Sequence, residues 1–156
     1  TAFARSHIMK PDIAVYFREL IRTIREDFAP KLPTAFEQGA AVRFSVLTQA
    51  VAEEFDRAAA RRIEENNAIR ALFLRAAPNI AKPDLAARLQ AAGATEEKSL
   101  RVRDLDQSNN ELRALLLELH AHVETMTDDK ARELEEAIWS ELVASTQRRI
   151  LSIGRF

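Results

Sequence analysis

The chain has 156 residues and no cysteine, which excludes disulfides, thiolate metal sites and cysteine nucleophiles. Its 3 glycines are too few for phosphate-cradling loops, and neither GxGxxG nor the P-loop pattern occurs. G-x-S-x-G is missing too, so an esterase has no support. No apolar run approaches the ~20 residues that span a bilayer, and no secretory leader pattern is visible. A cytoplasmic protein without a membrane partner is therefore expected. Charge of one sign is also lacking. With 23 Lys+Arg against 24 Asp+Glu the net charge is −1, whereas nonspecific nucleic-acid binders carry a positive excess. No nucleic-acid partner is expected. What remains is 47% hydrophobic and 30% charged, the composition of one globular domain over residues 1–156. Residues 1–10 show no periodicity and are expected to be disordered or vector-derived, with Met9 a candidate start.

Strand patterns are nearly absent, while helical periodicity is strong. Pro11 and Asp12 open a first helix whose apolar stripe is Ile13, Phe17, Leu20, Ile21, Ile24 and Phe28, and Pro30 and Pro33 end it. Thr34 and Glu37 form a capping box. A very long helical pattern follows over about 35–76, with a weak point at Asn66-Asn67, and Pro78 ends it. Asp84 is expected to cap a short helix closed by Gly93, and another piece starts near Thr95. Ser108 and Glu111 read as a second capping box before a helix carrying Leu112, Leu115, Leu116, Leu119, Val123 and Met126. Thr127-Asp128-Asp129 caps the last helix, and the short link before it predicts an antiparallel hairpin. The fold expected is all-α, a mostly antiparallel bundle with one very long or kinked helix.

A 42-residue helix spans about 63 Å, whereas a compact domain of this length is roughly 40 Å across. Because the apolar stripe continues to Phe73, an overhanging end would be sticky. Either the helix breaks at Asn66-Asn67 and folds back, or a second copy covers it. The expected interface residues are Val51, Phe55, Ile63, Ile69 and Phe73, in a homodimer.

Patterns that could carry chemistry are few. Glu118, His120, His122 and Glu124 contain two Glu–His pairs four residues apart, which could tune a general base. The two histidines lie two apart on a helix and face away from each other, so they cannot share an ion. No Glu-x-x-His or HExxH is present, so no metal or other cofactor is expected. Asp104-Leu-Asp106 looks like a metal-binding carboxylate pair but reads better as a solvated helix end. Three arginine groups (Arg18, Arg22 and Arg25; Arg57, Arg61 and Arg62; Arg148 and Arg149) read as charge balance. Residues 84–105 could form a helix-turn-helix, but Glu96-Glu97 would open its second helix and repel DNA. Phe44, Phe55, Phe73 and Trp139 could line an apolar ligand site for an acyl chain or similar group.

Residues 18–56, RELIRTIREDFAPKLPTAFEQGAAVRFSVLTQAVAEEFD, resemble a group of small bacterial all-helical proteins of unknown function. The Leu32-Pro33 turn between an amphipathic helix and a long helix carries the resemblance. Such proteins are often encoded beside aminoglycoside-phosphotransferase-like kinases or acyl-CoA dehydrogenases. The resemblance implies an accessory role with a partner enzyme and supplies no catalytic residues. Three functions stand as expectations. The first is a non-enzymatic interaction or accessory protein, the second a bundle that binds a small apolar ligand, and the third a small enzyme using Glu118, His120 or His122.

Overall fold

The structure, a computed structural model, describes residues 12–152; the expectations for residues 1–10 and for Pro11 lie outside the described residues. The fold is all-α, with no strand among the described residues. Helix α1 is Ile13–Arg22, α2 Ala35–Ala76, α3 Pro83–Gly93, α4 Val102–Val123 and α5 Asp129–Arg148. The described residues group into two compact units, 12–55 with 151–152, and 56–150, and α2 contributes to both.

In the first unit, Asp12 caps α1 by accepting the Ala14 N–H at 3.0 Å. The helix then widens into a π-type segment, Thr23–Phe28, and tightens into a 3-10 turn, Ala29–Lys31. Pro30 sits in that turn, where its missing N–H cannot continue an α-helical ladder. The capping box at the start of α2 is as the sequence predicts. The Thr34 N–H donates to Glu37 Oε2 at 3.1 Å, and the Glu37 N–H to Thr34 Oγ1 at 3.2 Å. The buried face of this part of α2 is small and polar, at Ser45 and Thr48. Arg25 Nε donates to Ser45 Oγ at 2.7 Å, and the Phe17 and Phe55 rings lie 6.2 Å apart. Ile24 and Ala29 are buried, but α1 itself has no buried residue.

Helix α2 does not break at Asn66-Asn67. Asn residues weaken helices by competing for backbone bonds. Here the Asn66 side chain is committed elsewhere, donating to Glu97 Oε1 at 2.7 Å and to the Leu105 carbonyl at 3.3 Å. The fold-back expectation is thus corrected: the helix runs for 42 residues.

In the second unit, Ile69, Leu72 and Phe73 of α2 pack with Leu85 and Leu89 of α3, Leu112, Leu116, Leu119 and Val123 of α4, and Leu134 and Ile138 of α5. Lys82, not Asp84, occupies the cap position of α3, because Pro83 takes the first helical position it suits. Gly93 is the last residue of that helix, and no glycine there or elsewhere among the described residues has positive φ. Its role is close approach: an added Cβ would lie 2.8 Å from Leu74 Cγ and 3.1 Å from the Arg70 carbonyl oxygen. The helix expected near Thr95 is absent, and α4 starts at Val102. Ser108–Glu111 is therefore no cap but lies inside α4, with Ser108 and Asn109 used in tertiary bonds. Asp128 caps α5, accepting the Ala131 N–H at 2.8 Å. The pairs His120–Trp139, with rings 5.3 Å apart, and Arg113–Ser145, at 3.2 Å, run in opposite chain directions, so α4 and α5 are antiparallel.

Candidate functional site

Two features stand out, a polar interior in the second unit and a bare apolar face in the first. The interior is centred on Glu65 and Asn66 of α2, which are 1% and 0% exposed. Arg113 Nη1 donates to Glu65 Oε1 at 2.7 Å, and Arg149 Nη2 donates to both oxygens at 2.9 and 3.0 Å. Burial pushes the Glu65 carboxyl up, but bonds from Arg113, Arg149 and Asn109 outweigh it and bring it down to about 2. Asn109 Nδ2 donates to Asn66 Oδ1 at 2.8 Å. Arg70 reaches Glu97 Oε1 at 2.8 Å, Thr95 Oγ1 at 2.9 Å and Ser108 Oγ at 3.0 Å. Burial opposes ionisation of Glu97 as well, yet its bonds from Asn66 and Arg70 hold it below the usual carboxylate range. Both acids stay ionised at neutral pH and donate no proton. The network ties α2 to α4, α5 and the 94–101 segment, and its geometry suits fixing helix register.

In the histidine region Glu118 is held, while His120 Nε2 and His122 Nε2 are buried without a hydrogen-bond partner among the described residues. Arg88 grips Glu118 at 2.6 and 2.9 Å, and that hydrogen bonding holds the carboxyl below its ordinary range. Glu118 is thus held by Arg88 of α3. His120 Nε2 lies 3.7 Å from Glu124 Oε1, and its ring meets Trp139 edge-on. Among the described residues no group of three or more His, Asp or Glu could hold a metal ion. Asp106 of the Asp104-Leu-Asp106 pair is bound by Arg62, through Nε and through Nη2 at 3.2 Å. Arg57 donates to the Arg148 and Ile150 carbonyls at 2.9 and 3.0 Å, satisfying the end of α5. Arg148 pairs with Glu141 at 2.7 Å, and Arg22 with Glu26 at 3.6 Å. The helix-turn-helix expectation loses its geometry, because an irregular 94–101 segment separates α3 from α4 and Glu97 turns inward to Arg70.

The four aromatic ligand candidates are divided between the two units. Phe73 is wholly inside the second unit's core, Trp139 is half exposed, and Phe44 and Phe55 are exposed in the first unit. An apolar groove of about 400 Å³ between α4 and α5 is lined by Leu116, Leu117, His120, Ile138 and Leu142, among others, but by none of the four. Of the interface candidates, Val51 and Phe55 are exposed and Ile63 is half-buried, whereas Ile69 and Phe73 are enclosed by α3, α4 and α5. The uncovered apolar stripe thus lies at the opposite end of α2 from the Phe73 overhang expected. Phe36, Phe44, Leu47, Val51 and Phe55 line it, between 56% exposed at Val51 and 79% at Phe36. Leu47 and Phe36 stand on this stripe beside Phe44, Val51 and Phe55. Their spacing signalled a stripe, but sequence alone does not say which half of a long helix its own chain will cover.

No protein-family model, curated protein or solved structure matches the chain. No described helix is long and apolar enough to cross a membrane.

Proposed function

We propose that this chain is a non-enzymatic interaction or accessory protein that assembles as a homodimer. One observation carries the proposal: five bulky apolar side chains of α2 stand in solvent along one helical stripe while the chain buries the small, polar neighbouring face. Single exposed apolar residues are ordinary, but a contiguous exposed stripe marks an interaction surface. The ionised, arginine-held state of Glu65, Glu97 and Glu118 supports the non-enzymatic part. The resemblance of residues 18–56 to small bacterial helical proteins supports the accessory part, with a partner enzyme as companion. Native mass spectrometry tests it: a dimer without added mass is expected, and a bare monomer would overturn it. Binding of an acyl chain is the second function, favoured by the apolar α4–α5 groove, and it would show as added mass on each subunit.

A further inference from the structure

We infer that a second copy of this chain covers the α2 stripe, and that the two helices pair antiparallel about a two-fold axis between positions 45 and 46. The inference rests on the interaction function above and specifies its partner and geometry. The stripe is Phe36, Ala40, Phe44, Leu47, Val51 and Phe55, so its spacings are 4, 4, 3, 4 and 4. That series reads the same from either end. A two-fold interface must be self-complementary, each residue meeting a different one on the partner and being met by it in return. Here Phe36 comes opposite Phe55 of the second copy, Ala40 opposite Val51, and Phe44 opposite Leu47. Bulk is complementary as well. The smallest residue, Ala40, receives Val51, whereas parallel pairing would stack Ala40 on Ala40 and leave a gap.

The area is adequate. At 56–79% exposure, the five bulky side chains offer about 500 Å² per copy, or about 1,000 Å² for the pair, where specific association begins. The first unit also needs such cover. It is a helical hairpin whose α1 buries no residue and leaves Ile13, Tyr16 and Leu20 exposed. Two hairpins paired through α2 form a four-helix arrangement that can enclose a core.

The absence of cysteine makes the test clean, because only introduced thiols react. Chains carrying Phe36→Cys and Phe55→Cys are oxidised separately and mixed. Antiparallel pairing predicts a disulfide dimer containing one of each, about tenfold over either chain alone, since a disulfide needs Cα atoms within ~7 Å. Two copies of position 36 would then lie about 28 Å apart along the axis. Ala40→Cys mixed with Val51→Cys repeats the test without removing an aromatic ring, and circular dichroism confirms that each variant is folded. Efficient cross-linking of either Phe variant alone, or none in any mixture while native mass remains dimeric, overturns the antiparallel register and leaves self-association standing. A monomeric native mass overturns self-association itself.

Discussion

Replacing Glu65 with Gln isolates the charge at the centre of the second unit. The wild-type carboxylate accepts three hydrogen bonds from Arg113 and Arg149. Gln keeps the shape but points an N–H at one of these donors. The carboxyl sits at about 2 in the folded chain against an ordinary 4.5. At about 1.4 kcal/mol per unit, that difference corresponds to about 3 kcal/mol at neutral pH. Arg113 and Arg149 are themselves 39% and 47% exposed, so water can reach them after the substitution and the expected loss is about 2–3 kcal/mol. The pH dependence has a definite sign. A depressed folded-state value stabilises the fold above the unfolded value, and that stability is lost as pH falls from about 4.5 to about 2. Wild type should lose about 1.4 kcal/mol per pH unit in that window from this group, and the Gln variant nothing. Contributions from Glu97 and Glu118 are common to both chains and cancel in the difference. Urea unfolding followed by the fluorescence of Trp139, the single tryptophan, reads the second unit directly. A wild-type-minus-variant difference that stays constant from pH 7 to pH 3 would refute the assignment of Glu65 as an ionised, arginine-held group.

Four further substitutions bear on the fold and its exposed stripe. Gly93→Ala places a methyl against Leu74 and the Arg70 carbonyl, so the midpoint of the same urea titration should fall by the equivalent of about 1–3 kcal/mol. Phe73→Ala empties a wholly buried site and should cost about 3–5 kcal/mol, whereas Phe44→Ala should leave Trp139-monitored stability unchanged while weakening association. Thr34→Ala removes the capping box of α2, and hydrogen exchange at residues 35–38 should accelerate by the equivalent of about 1 kcal/mol.

Local structure is legible in the sequence where the deciding groups are neighbours in the chain. The Thr34–Glu37 box, the Asp128 cap and the short hairpin between α4 and α5 all depend on residues a few positions apart. Sequence and structure differ where distant residues decide. Asn66-Asn67 looked like a helix break and Ser108–Glu111 like a helix start. Both are polar clusters because Asn66 bonds Glu97 and Asn109, which lie on separate segments. Gly93 looked like a helix-ending turn, but Leu74 crowds it from α2. The interface stripe was half legible. Val51 and Phe55 stand on it, while Ile69 and Phe73 carry the same periodicity and are enclosed by α3, α4 and α5. Periodicity marks an apolar face and says nothing of what covers it.

Sedimentation equilibrium on wild type and on Leu47→Asp, across a dilution series, addresses self-association most directly. Leu47 stands exposed near the middle of the stripe, so an aspartate there leaves each chain folded but places unpaired charge in the pair. Wild type should sediment at twice the 17.6 kDa subunit mass and the variant at that mass, with equal helicity. Wild type remaining at the subunit mass at every concentration, or a variant that dimerises as well as wild type, would contradict pairing through α2.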